Sequence, residues 1–334
     1  MRRRSLLVGA GAVAGYAALG ALAESGAPLK RLGCLWPQRK TDRTIFVLSF
    51  EARLRELGWI EGKNLIIVNR YADLDSSRYE AIARELAAGK PDVIHALFTS
   101  GVRAVQKAAP NTPIVFSIVS DPVAEGLVAS LARPGGNITG ASTREAELFL
   151  KRIQLVRELL PKASRVAVLV DKAGQQSMPP LTRRALTNMA DVGRQLGLTV
   201  EEFTVGSVDD VGPVFQHLVK ARFDAVMVVL YLRVNGKDRA VVTAHAEQAR
   251  LPAIYMVQDY VDLWGGLIAY NQNLAELARR AAGYVDKILR GARPADLPVE
   301  EPNVFELVIN LKAARAIGVT IPPLILLRAD RVIE

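Results

Sequence analysis

Residues 91–120, PDVIHALFTSGVRAVQKAAPNTPIVFSIVS, decide the fold. Two short runs, DVIHALF and PIVFSIV, are apolar on both faces, and between them VRAVQKAA carries apolar residues at helical spacing. A strand apolar on both faces has to be covered on both, which is the condition of a parallel sheet flanked by helices. The segment therefore predicts strand, helix and parallel strand, joined by a right-handed crossover.

The same reading extends outward. RLGCLW (31–36) and NLIIVNRY (64–71) are predicted as buried parallel strands. FEARLRELG (50–58) and RYEAIARELAAG (78–89) are predicted as helices, each ending in a glycine suited to the left-handed turn past a helix. The series then restarts with RVAVLV, LTVEEFTV, DAVMVVLYL and AIYMV as strands, and LTRRALTNMADVGRQLG and VGPVFQHLVKA as helices. Leu57-Gly58 ends a helix 55 residues before Pro113 opens a strand, and Leu196-Gly197 ends one 55 residues before Pro252. This repetition predicts an α/β protein of two Rossmann-like lobes with parallel sheets. The first lobe takes residues 30–140 plus about 270–298, and the second takes 142–266 plus about 304–334. Crossings are expected at RPGGNITG (133–140), at GGLIAY (265–270) and before NVFELVINLKAARAIG (303–318), so that three strands make a hinge and the hinge makes a cleft.

The N-terminus is read separately from the fold. Arg2, Arg3 and Arg4 lead into an apolar run from Leu6 to Ala23 that ends in Ala21-Leu22-Ala23, the pattern of a cleaved signal peptide over residues 1–23. Glu24 is then the expected first residue of an exported, periplasmic chain, with a membrane anchor as the alternative. Arg3-Arg4-Ser5-Leu6-Leu7 also resembles a twin-arginine signal without its usual Lys. The net charge of +9 loses three units with that segment, and the remaining basic residues are interspersed with acidic ones, which argues against nucleic acid as a partner. The single cysteine, Cys34, excludes an intramolecular disulfide and a multi-cysteine metal site, and it reads as a small apolar residue of the first strand.

LRELGWIEGKNLIIVNRYAD (54–73), SDPVAEGLVASLARPGGNITG (120–140) and FELVINLKAARAIGVTIPP (305–323) closely resemble the TrpX-like substrate-binding proteins of ABC importers. The resemblance runs from about Arg31 to Glu334. It implies the type I periplasmic binding protein fold and a monomeric receptor that closes over a small-molecule ligand and delivers it to an ABC permease in the inner membrane. Some members of that family are associated with aromatic amino acids. Two departures from its pattern are the basic loop Trp36-Pro37-Gln38-Arg39-Lys40-Thr41-Asp42-Arg43, and Tyr231-Leu232-Arg233, where the family often shows Asp-Pro.

In open parallel sheets ligands sit beyond the carboxyl ends of the strands, so the loops after strands supply the candidates. Thr99 and Ser100 precede the helix VRAVQKAA and are expected either to cap it or to hold a ligand carboxylate. Ser120 and Asp121 open the next predicted helix, with Asp121 as its cap or as the partner of a ligand ammonium. Trp36 is expected to stack on a planar ligand or to be part of the core. Tyr231, Asp259 and Tyr270 are candidates from the second lobe and the hinge, and Asp171-Lys172-Ala173-Gly174 is a weaker one.

Motifs of catalysis, metal or cofactor binding do not assemble. Gly9, Gly11 and Gly15 imitate part of a dinucleotide fingerprint inside the signal segment, where no strand precedes them. His95, His217 and His245 stand apart, with no H-E-x-x-H, and His95 reads as a core residue of a strand. The chain is therefore expected to be no enzyme and to need no cofactor. A ligand-binding sensory protein that presents its closed form to a membrane receptor is the alternative, since it too needs only a hinge and a cleft.

Overall fold

The structure, a computed structural model, describes residues 29–178, 180–230 and 236–334. The expected signal segment and Tyr231, with Leu232 and Arg233, lie outside the described residues.

The first half of the chain runs β1 (Lys30–Trp36), α1 (Ile45–Glu56), β2 (Leu65–Tyr71), α2 (Tyr79–Ala88), β3 (Val93–Leu97), α3 (Phe98–Ala108), β4 (Ile114–Val119) and β5 (Ile138–Ser142). The second runs α4 (Glu145–Leu159), β6 (Arg165–Asp171), α5 (Lys172–Ser177), α6 (Pro180–Gln195), β7 (Thr199–Val205), α7 (Val211–Lys220), β8 (Ala225–Val229), α8 (Gly236–Gln248), β9 (Ala253–Tyr255), α9 (Asp259–Asp262) and β10 (Ile268–Gln272). It ends with α10 (Leu274–Leu289), β11 (Phe305–Asn310), α11 (Leu311–Ile317), α12 (Pro323–Leu327) and β12 (Arg331–Ile333).

These elements make two sheets. The first has the order β2-β1-β3-β4-β5 with every pair parallel. The second has the order β12-β11-β10-β9-β8-β6-β7 and is parallel except where β11 runs against β10. This is the two-lobed α/β fold with parallel sheets that the apolar runs predict. The central strand β3 is buried along its whole length, as a strand covered on both faces must be. β2 and β7 are edge strands and are only partly buried, so NLIIVNRY is not the fully buried strand its apolar content predicts.

Local signals place several helix ends. Thr44 caps α1 by accepting from the amide of Val47, and Gly58 follows that helix at φ +89°. After α2 the left-handed residue is Lys90 (φ +47°), whereas Gly89 keeps a right-handed conformation. The stretch after β4 departs from expectation. Residues 122–126 form hydrogen-bonded turns and no helix, with the Leu127 amide donating to the Pro122 carbonyl.

The crossings explain how two sheets share one cleft. β5 passes directly into α4, and β10 belongs to the second sheet, so the second crossing comes after Gln272, later than GGLIAY predicts. α10 then packs on the first sheet, where Leu277, Ala281 and Val285 join Phe46, Phe50 and Leu54 of α1 in one core. The indole N–H of Trp59 donates to Asp286 at 2.8 Å, and Arg279 grips Glu56 through two hydrogen bonds. The returning chain lies against the other two crossings: the Ser142 amide donates to the Glu300 carbonyl (2.9 Å) and the Asn273 amide to the Val304 carbonyl (3.1 Å). Gly140 is required at this point, because a Cβ there would stand 2.1 Å from the Phe116 carbonyl oxygen of β4.

Candidate functional site

The carboxyl ends of both sets of strands face one cleft. Its first-lobe wall includes Gln38 after β1, Phe98 to Ser100 after β3, and Ile118 and Ser120 at the end of β4. Met178, Thr182, Arg239 and Asp259 come from the second lobe, and Thr143, Glu145, Asn271 and Gln272 from the hinge. The cavity holds about 210 Å³ of free space, the scale of a small molecule. Much of its lining is apolar, through Phe46, Leu97, Phe98, Ile118, Met178 and Met256.

The first wall is shaped by two strained residues. Phe98 (φ +60°) and Ile118 (φ +56°) lie in the left-handed region that bulky side chains avoid. Each costs about 1–3 kcal/mol and is held by its surroundings. Phe98 turns the chain from β3 into α3, and Ile118 sits in a bulge where the pairing of β4 with β5 shifts register between Ser117 and Val119. Both line the cleft, so the strain is placed where side chains are re-aimed toward a ligand.

Polar groups converge on the cleft without partners. Thr99 Oγ1, Thr182 Oγ1, Arg239 Nε and Gln272 Oε1 are buried and make no hydrogen bond among the described residues. Each such group costs about 1–3 kcal/mol when left unpaired, so a molecule that satisfies several of them is bound strongly. They come from α3, α6, α8 and β10, and therefore from both lobes and the hinge.

Two ion pairs border the same space. Arg239 Nη1 donates to Asp259 Oδ2 at 2.7 Å, with its guanidinium 5.4 Å from the Tyr260 ring. Arg152 Nη1 donates to Glu145 Oε1 at 2.6 Å, and the Arg152 side chain is wholly buried. Burial raises the Tyr260 phenol well above its ordinary range, so it stays neutral.

The structure separates the sequence candidates. Thr99, Ser100, Ser120 and Asp259 line the cleft. Trp36 does not: it is 1% exposed, packs edge-on against Phe46 and Phe50, and donates its N–H to Asn69 at 2.7 Å, so its ring is core. Asp121 lies outside as well, in a neighbouring groove, where its Oδ1 accepts from the Ala124 amide at 2.9 Å and caps a turn. Tyr270 turns away from the cleft toward Phe305, with which its ring packs at 6.3 Å, while the next two residues of β10 reach the cleft. Gly174 lines the cleft, and Asp171 caps α5 behind it. Of the basic loop, Pro37 and Gln38 reach the cleft, whereas Lys40 and Arg43 line a separate surface groove.

His95 is core, as its strand predicts, between the rings of Trp36, Phe46 and Phe50. Its Nε2 meets Ser117 Oγ at 3.1 Å, and burial holds the imidazole neutral, with a pKa of about 3. Glu145, Thr182, Arg239 and Gln272 are among the cleft residues that sequence reading missed. Glu145 follows β5 by three positions, so the rule of searching loops after strands would have reached it had ITGAS been counted as a sheet strand rather than as a joint. Nothing in the sequence marks Thr182 or Arg239, which sit on helices.

Comparison with known proteins agrees with this architecture. The family described as "ABC transporter substrate binding protein" matches residues 46–333. A tyrosine-binding protein of Clostridioides difficile (strain R20291) is 26% identical over 272 residues, covering 80% of this chain and 75% of that protein. The structure of an ABC domain from Streptococcus pneumonia in complex with L-Trp superposes with a TM-score of 0.78 at 23% identity, over 92% of this chain and all of that one. A conserved domain protein from Vibrio cholerae superposes at 0.79 with 25% identity, over 91% of this chain and all of that one.

Proposed function

The chain belongs to the family of ABC transporter substrate-binding proteins, and from that footing we propose that it binds an amino acid with a large apolar or aromatic side chain in its interlobe cleft. The observation that carries the reading is the set of four buried polar atoms on Thr99, Thr182, Arg239 and Gln272 that have no partner among the described residues, gathered from both lobes and the hinge in a largely apolar lining. The hydroxyl of Thr99 at the start of α3 and the guanidinium of Arg239 suit a carboxylate, and Phe46, Phe98, Ile118 and Met256 suit an apolar side chain. The relatives described as binding tyrosine and L-Trp support the same class. Because atoms of both walls are buried in this arrangement, ligand entry needs the lobes to part at the three crossings.

On this reading the protein works outside the cytoplasm as a monomer and hands its ligand to a membrane permease. Among the described residues no helix is long and apolar enough to cross a membrane. Export rests on the signal pattern of residues 1–23.

Thermal melting against the twenty amino acids and a set of small anions and sugars tests the ligand class. A ligand at a hundred times its Kd adds about 2.7 kcal/mol to the folded state, roughly 4 °C in Tm for a chain of this size. Large apolar or aromatic amino acids should give the largest shifts. Shifts with sugars or inorganic anions and none with amino acids would overturn the reading.

A further inference from the structure

We propose that Glu145 is the acceptor for a positively charged nitrogen of the ligand, and that Arg152 behind it is its positioning residue. The inference rests on the amino-acid reading of the cleft and adds which side chain holds the amino end.

Glu145 opens α4 three residues past the end of β5, which puts it in the hinge wall of the cleft. It is 6% exposed, and its Oε1 accepts from Arg152 Nη1 at 2.6 Å. Among the described residues Oε2 has no hydrogen-bond partner. Arg152 lies two turns along the same face of α4. Its side chain is wholly buried, with Nε donating to the Tyr270 carbonyl at 2.8 Å, while Nη2 finds no acceptor among the described residues. Glu145 is therefore fixed: turning away would leave a buried guanidinium without its counter-charge.

The two ion pairs of the cleft present opposite faces. Arg239 and Asp259 both line it, and the unpartnered Nε makes that pair a donor. At the hinge Arg152 is hidden and only the carboxylate of Glu145 reaches the wall. The cleft is thus polarised, with an acceptor at the hinge and donors on α3, α6 and α8, the complement of a zwitterion whose ammonium lies at Glu145. The hydrogen bond from Arg152 to the Tyr270 carbonyl also ties this acceptor to β10, whose next two residues line the cleft just before the chain crosses to the first lobe.

Calorimetric titration of the purified protein with paired probes tests the assignment: L-tryptophan against 3-(indol-3-yl)propionate, and L-tyrosine against 3-(4-hydroxyphenyl)propionate. The wild type should bind at least one amino acid about tenfold or more tighter than its des-amino partner. Glu145→Gln should lose about tenfold or more for the amino acid and little for the des-amino acid, so the discrimination collapses. If that variant melts early because Arg152 is left unpaired, the double variant E145Q/R152M removes both buried charges and should show the same collapse. Arg152→Lys keeps the charge and loses the fixed fork, so its discrimination should fall between the two. Wild-type discrimination in folded E145Q, or in the double variant, overturns the role of Glu145 while leaving the amino-acid cleft standing. A wild type that binds no amino acid overturns the cleft reading and this assignment with it.

Discussion

Arg239→Met separates ligand binding from scaffold stability at a single side chain. The arginine, which lines the cleft, has two features: Nη1 neutralises Asp259, whose side chain is 18% exposed, and Nε is buried with no partner among the described residues. Methionine keeps much of the apolar stem and deletes both. Losing the counter-charge of a mostly buried carboxylate costs about 1–3 kcal/mol of stability, or roughly 1.5 to 5 °C in Tm. Losing a charge-assisted bond to the ligand costs about 1.5–3 kcal/mol of binding, which is about 10- to 150-fold in Kd. The double variant R239M/D259N removes the stranded carboxylate and should recover most of the lost Tm with none of the lost affinity. Melting curves of the unliganded proteins and calorimetric titration with L-tryptophan or L-tyrosine read the two effects separately. Wild-type affinity in R239M would refute the reasoning, since it would mean that the unpartnered donor does not meet the ligand.

Three other outcomes follow from the same geometry. Trp36→Phe should lower stability by about 1–4 kcal/mol, through the lost bond to Asn69 and the space left beside Phe46 and Phe50, with ligand affinity unchanged; weakened binding in a fully stable variant would return the indole to the cleft. Asp121→Asn should leave affinity unchanged and Tm within about 2 °C, because asparagine caps as well as aspartate and the carboxylate lies outside the cleft; a tenfold loss of affinity would contradict that placement. His95 has a folded-state pKa of about 3 against an ordinary value of 6.5, so the unfolded chain takes up its proton first and stability is lost as pH falls from 6.5 toward 3. The loss should reach about 2 kcal/mol at pH 5 relative to neutral pH, and a series of melts from pH 7 to 5 should be flatter for His95→Gln than for the wild type.

Much of this architecture is written in short-range pattern. Apolar runs of strand length separated by helical spacings predict two parallel sheets, because a strand buried on both faces leaves no other way to cover it. The rule that ligands gather beyond strand ends then finds Thr99, Ser100, Ser120 and Asp259. It fails where one local choice of direction decides the outcome. Trp36 and Gln38 stand two positions apart at the end of the same strand, yet one ring turns back under α1 and α10 and the other side chain reaches the cleft. Tyr270 and Asn271 are neighbours on β10 and face opposite sides. The bulge at Ile118 likewise shifts the register, and no residue in PIVFSIV announces it.

The sequence by itself determined the strands and helices and the repetition of their series, since the elements depend on periodicity within ten or twenty residues and the series restarts at the same 55-residue spacing. Only the tertiary structure decided which polar groups share the cleft. Arg152, which holds Glu145, meets the Tyr270 carbonyl across 118 positions of chain, and Arg239 meets Asp259 because α8 and α9 are brought together on the second sheet. Whether such a group is paired, orphaned or hidden depends on burial by segments far away in sequence. That is a property of packing, and no local pattern encodes it.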